Sequence, residues 1–113
     1  MDMDLTSKKC APCEGGTPPL SVKEVEDYLS GLKTGWQAVD NKKLIQNFKF
    51  KDFKEAMDFV SRVASLAEAE NHHPDIHISY NKVKIELWTN AVDGLSENDF
   101  ILASKIELIK TPS

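Results

Sequence analysis

The chain is poor in cysteine. It has two in 113 residues, both in the stretch Cys10-Ala11-Pro12-Cys13, and a lone C-x-x-C is half of a structural zinc site with no second pair to complete it. The thiols therefore read as a reduced pair. No apolar run approaches the roughly 20 residues that a membrane-spanning helix requires. The start Met1-Asp2-Met3-Asp4 carries acid where a signal peptide carries positive charge, so the expected location is the cytoplasm, away from the membrane. Basic charge is also short: 14 Lys and Arg stand against 18 Asp and Glu, a formal net charge of -4. The lysines gather in no single segment, and a direct nucleic-acid partner is not expected. There is no internal repeat and no low-complexity tract.

With 41% hydrophobic and 28% charged residues, what is present has the balance of one soluble domain. A core of this size buries only about two-thirds of the surface of the unfolded chain, so partner subunits would add useful burial. Residues 1–20 hold three prolines and two adjacent glycines without an apolar period, and are expected to form a flexible tail before a domain over 21–113. Ser21 and Glu24 stand at capping-box spacing before Val22, Val25, Leu29 and Leu32, which predicts a first helix. Trp36–Val39 and Leu44–Phe50 read as a hairpin. From Asp52 the period changes to three and four, with Phe53, Ala56, Met57, Val60, Val63, Ala64 and Ala67 on the longest helix. Pro74 stops it. Ile76, Ile78 and Tyr80, then Val83, Ile85 and Leu87, alternate as two strands about a turn at Asn81-Lys82. Ser96 and Asp99 introduce a last helix carrying Ile101, Leu102, Ile106 and Ile109. The order α-β-β-α-β-β-α implies an α+β two-layer sandwich, an antiparallel sheet covered by helices.

All three histidines fall in Asn71-His72-His73-Pro74-Asp75-Ile76-His77. Imidazole is the side chain whose ordinary titration lets it give and take protons near neutrality, so an adjacent pair at a helix end suits general acid-base work. Adjacent histidines diverge in direction, and neither the H-E-x-x-H spacing nor a second ligand pair is present, so no metal is expected.

Several spaced motifs match one family in order: G-W at 35–36, F-K-F-K-D-F at 48–53, E-x-x-x-H-H-P at 68–74, Y-N-K-V at 80–83, and G-L-S-E-x-D at 94–99 followed by L-A-S-x-I-E. Over roughly residues 20–110 the chain resembles the pterin-4a-carbinolamine dehydratases, known in animals also as dimerisation cofactors of a homeodomain transcription factor. The resemblance implies a four-stranded antiparallel sheet with three helices on one side. It also implies dehydration of 4a-hydroxytetrahydrobiopterin to the quinonoid dihydropterin, the step that recycles the cofactor of the aromatic amino acid hydroxylases, with no metal or organic cofactor.

Carried over by position, the resemblance makes His72 the principal acid-base group and His73 its neighbour that orients the pterin. Pro74 shapes the loop, while Glu68, Asp99 and Trp36 lie around the substrate. The family's further histidine, in a T-H pair after the fourth strand, is replaced in Thr89-Asn90 by an asparagine that hydrogen-bonds but exchanges no proton near neutral pH. Asn90 is thus the departure within the catalytic set, and His77 is a candidate substitute. The alternative reading is a catalytically weak or silent relative that binds pterin or stabilises a transcription-factor dimer. The family also implies a homo-oligomer, a dimer or a tetramer, through the long helix.

Overall fold

The computed structural model describes residues 18–110. Most of the expected tail, with Cys10 and Cys13, lies outside the described residues. The elements are α1 (Val22–Leu29), β1 (Gln37–Val39), β2 (Lys43–Lys49), α2 (Phe53–Glu70), β3 (Asp75–Ser79), β4 (Lys82–Leu87) and α3 (Glu97–Lys110), in the expected order. Among the described residues a 3-10 turn over Asn90–Val92 is additional.

Local chemistry sets the helix ends. The Ser21 hydroxyl accepts from Glu24 N and the Glu24 carboxylate accepts from Ser21 N, so the capping box at α1 is complete. Asp52 caps α2 by accepting from Glu55 N at 2.9 Å. At the other end α2 stops at Glu70, before Pro74 is reached. Asn71 adopts the left-handed conformation, φ 53 and ψ 40, which asparagine tolerates better than most residues. Asn71 N then donates to Glu68 O and His72 N to Ala67 O, the two bonds of a Schellman cap. This turn decides where the histidines go.

The sheet runs β1-β2-β4-β3 with every neighbour antiparallel. The turn between β3 and β4 falls at Tyr80-Asn81, one residue earlier than the sequence pattern suggested, because Ser79 pairs with Lys82. That register keeps Ile76 and Ile78 beside Ile85 and Val83 on one face, and a one-residue slip would turn them outward. Tyr80 accommodates the turn at φ 53.

One face of the sheet makes the core. Leu44, Phe48, Val83, Ile85 and Leu87 meet Phe59 and Val63 of α2 and Phe100, Leu102 and Ile106 of α3, all buried. Phe59 holds Phe48 and Phe50 at centroid separations of 4.9 Å each. Burying a large apolar side chain of this kind stabilises the fold by about 1.5–3 kcal/mol. The other face is polar. There Glu86 draws Lys43 to 3.4 Å and Lys84 to 3.2 Å. The Lys84 hydrogen bond foremost holds its carboxyl below the usual carboxylate range.

The last helix also fastens the first part of the chain. Glu107 Oε2 accepts from Lys33 N at 2.8 Å, Thr34 N at 2.8 Å and Thr34 Oγ1 at 2.7 Å. Leu20 N donates to Leu95 O just before α3, at 2.9 Å. Lys105 reaches Glu70 at 2.8 Å, joining α3 to the end of α2. No described helix is long and apolar enough to cross a membrane.

Candidate active site

The cap at Asn71 throws the next two residues to different sides. His72 turns inward to α3, and its Nε2 lies 2.7 Å from Asp99 Oδ1, with the His72 side chain 13% exposed and that of Asp99 fully buried. An isolated buried carboxylate is costly, but this one is surrounded by donors. Its second oxygen, Oδ2, accepts from Thr89 Oγ1 at 2.8 Å and from Ser96 N at 2.9 Å.

The proton positions follow from this network. An ionised carboxylate only accepts, so the Thr89 hydroxyl spends its proton on Asp99. The 2.7 Å contact between Thr89 Oγ1 and Ser96 Oγ is then made by the Ser96 hydroxyl as donor. By the same reasoning His72 carries a hydrogen on Nε2, which leaves Nδ1 as the nitrogen free to exchange a proton.

Backbone geometry assembles these groups. Thr89 and Gly94 bridge, with Thr89 N donating to Gly94 O at 2.8 Å and Gly94 N to Thr89 O at 3.3 Å. The loop closed by this bridge contains the 3-10 turn and brings Thr89 against Ser96. Gly94 is required here, because a Cβ on it would stand 2.8 Å from Pro19 Cβ.

His73 faces outward. Its Nε2 lies 2.8 Å from Glu68 Oε1, with the two side chains 55% and 78% exposed. Spacing alone puts Glu68 one helical turn before His72, but the left-handed Asn71 interrupts the helix between them and gives Glu68 to His73 instead. Pro74 is half-buried, directly before β3. Asn90 is exposed and opens the 3-10 turn immediately after Thr89.

The remaining candidates make other contacts. Trp36 belongs to the core, packed edge-on against Phe48 at 6.1 Å. Its Nε1 is buried without a hydrogen-bond partner among the described residues. His77 stands on the polar face of the sheet, opposite Lys84 and 3.9 Å from Glu86 Oε2. Among the described residues no group of three or more His, Cys, Asp or Glu converges as metal ligands would. Thr89 and Ser96, which complete the site, were not anticipated as site residues. Their signal in the sequence was slight: a threonine beside Asn90, and a serine three residues before Asp99.

Comparison with known proteins places the chain in a family. The family model for pterin 4 alpha carbinolamine dehydratase matches residues 18–109. A protein of Rickettsia bellii bearing that dehydratase name is 47% identical over 106 residues, covering 94% of each chain. One from Alkaliphilus metalliredigens is 48% identical over 104 residues, 92% of this chain and 94% of the relative. Among solved structures, the transcriptional coactivator/pterin dehydratase of Brucella melitensis superposes with a TM-score of 0.77 at 35% identity, covering 82% of this chain and 99% of that one. A pterin dehydratase-like RuBisCO assembly factor of the alpha-carboxysome, 21% identical with a TM-score of 0.58 over 70% of this chain and 90% of its own, shares the fold. Matched along nearly its whole described length, the chain belongs to the pterin-4a-carbinolamine dehydratase family of hydro-lyases.

Proposed function

We propose that this enzyme dehydrates 4a-hydroxytetrahydrobiopterin to the quinonoid dihydropterin, with His72 as the group that moves the proton. The observation that carries the reading is the 2.7 Å pair between His72 Nε2 and a fully buried Asp99. In the reaction one C–O bond breaks, one C=N bond forms, a ring N–H proton is lost and water leaves. The nitrogen of a carbinolamine already supplies the electrons that expel the hydroxyl, so the protein need only protonate the departing oxygen and take up the ring proton. Protonated His72 gives its Nδ1 proton to the oxygen, while Asp99 stabilises the imidazolium through Nε2. The neutral ring then accepts the proton from the pterin.

His73, Pro74 and Glu68 form the exposed side of the site and orient the substrate. Asn90 offers the pterin a hydrogen bond without a titratable proton. That substitution favours a second reading, a slower enzyme or a pterin-binding relative. Assembly into a dimer or tetramer accompanies either reading: α2 leaves Phe53 half exposed at 50% with Met57 and Val60 only partly covered, an apolar stripe that suits a second copy.

A dehydration assay on enzymatically generated carbinolamine, comparing the wild-type protein with His72→Ala, tests the proposal. Loss of turnover in the variant is expected. Full turnover in the variant would refute the assignment, and pterin binding without turnover in the wild type would establish the second reading.

A further inference from the structure

We propose that Thr89 and Ser96 are positioning residues for this reaction: a pair of hydroxyls that governs how tightly Asp99 holds the proton it shares with His72. The inference rests on the role given to His72 above, but it concerns groups to which neither the motif nor the comparisons assign any part.

The two oxygens of Asp99 do separate work. Oδ1 meets His72 Nε2 at 2.7 Å, while Oδ2 accepts from Thr89 Oγ1 at 2.8 Å and Ser96 N at 2.9 Å. Every donor on Oδ2 draws negative charge toward that side of the carboxylate and weakens Oδ1 as an acceptor. The Ser96 hydroxyl, 2.7 Å from Thr89 Oγ1, polarises the Thr89 hydroxyl further, since chained hydrogen bonds reinforce one another. These donors also fix the carboxylate plane. Loss of the Thr89 hydroxyl would concentrate charge on Oδ1 and stabilise the imidazolium, so that His72 would release its proton less readily.

Few other charges compete at this point. On α2, Glu68 is engaged by His73 and Glu70 by Lys105. From α3 comes Asp99. The loop after β4 brings the two hydroxyls and Asn90, with Asp93 exposed beyond them.

Three variants test the proposal: Thr89→Val, which keeps the shape and removes the hydroxyl, Thr89→Ser, which restores a hydroxyl, and Ser96→Ala. The primary measurement is an NMR titration of the His72 ring in the ligand-free protein, accompanied by pH–rate profiles of dehydration. In Thr89→Val the midpoint for protonating His72 should rise by roughly half a unit to one unit, with the alkaline limb of the profile following it and kcat falling more than KM changes. Thr89→Ser should return both toward wild type, and Ser96→Ala should give a smaller rise. An unchanged or lowered midpoint in folded Thr89→Val overturns the proposal. Should Thr89→Val not fold, Ser96→Ala decides, and no rise there overturns it equally. Because the titration needs no substrate, an unmoved midpoint counts against the hydroxyl pair alone, whereas full turnover in His72→Ala counts against the catalytic reading.

Discussion

His72 and His73 are consecutive, and each places Nε2 against a carboxylate at nearly the same distance, 2.7 and 2.8 Å. The two pairs nevertheless differ in physical kind. Asp99 is closed off from water and held by protein donors, so it meets His72 in one fixed geometry. Glu68 and His73 stand in solvent, where an ion pair contributes about 0–1 kcal/mol and is screened by salt. The difference arises from one backbone feature, the left-handed Asn71, which ends the helix and sends neighbouring rings to opposite environments. Hydrogen-bond length alone says little about the work of a histidine; the surroundings of its partner say more.

The most direct way to break this comparison is to remove each ring in turn. His72→Ala should lower the dehydration rate by about a hundredfold or more, the usual cost of losing a placed acid-base group. His73→Ala should cost less than about tenfold in that rate and act mainly on KM, as expected of a group that orients substrate. Equal losses in steady-state kinetics would erase the distinction between the rings.

The carboxylates offer a second test, now in stability. Asp99→Asn should destabilise the fold by about 1–3 kcal/mol, because an amide sets its own donors against Thr89 and Ser96 in a buried place. Glu68→Gln should stay within about 0.5 kcal/mol, like most changes at exposed positions. Urea unfolding of both proteins measures the contrast.

Asn90 sharpens the comparison by adding a third imidazole. Asn90→His should keep or raise the rate and add an ionisation near neutrality to the pH–rate profile, whereas Asn90→Ala should chiefly raise KM. An unchanged profile in Asn90→His, together with loss of turnover in His77→Ala, would move the proton chemistry to the polar face of the sheet.

The smallest expected effect concerns an intermediate case, Tyr28, which donates to Glu97 Oε2 at 2.8 Å from a half-buried position. Burial, reinforced by that hydrogen bond and the Glu97 charge, pushes its hydroxyl from 10.0 up to about 12. The folded state therefore keeps a proton that the unfolded chain loses first. The stabilisation is fully present below pH 10.0 and fades as pH rises toward about 12. Denaturation across this window should show a shallower decline for Tyr28→Phe than for wild type.

Much of the fold was legible because periodicity and capping are local. The stripe from Phe53 to Ala67 and the Ser21–Glu24 box each lie within a few turns of chain, and both formed as expected. What was not legible depended on pairing between distant segments. The β3–β4 turn moved by one residue because the cross-strand register overrode the preference for Asn81-Lys82. At the site, the resemblance carried by the H-H-P motif implied different roles for the two histidines, but nothing in the motif gives the physical reason. That separation needs Asp99, 27 residues from His72, and a loop pinched at Thr89 and Gly94. Asp99 was legible as a candidate from the family motif and as a helix-start residue from its spacing to Ser96. It serves both parts, since the same Oδ2 that accepts from Ser96 N belongs to the carboxylate that holds His72.

The grip of α3 on the beginning of the domain bears on how the protein is made. Leu20 is bonded to Leu95, and the backbone before β1 donates twice to Glu107. The core side chains Phe100, Leu102 and Ile106 also come from the last helix of the domain, synthesised after the whole sheet. A chain emerging from the ribosome exposes the beginning of this domain well before these partners exist, at a pace of about 5–20 residues per second. The sheet face laid down by β2 and β4 is covered only in part by α2 and must wait for α3, so the native core closes only once that helix has left the exit tunnel.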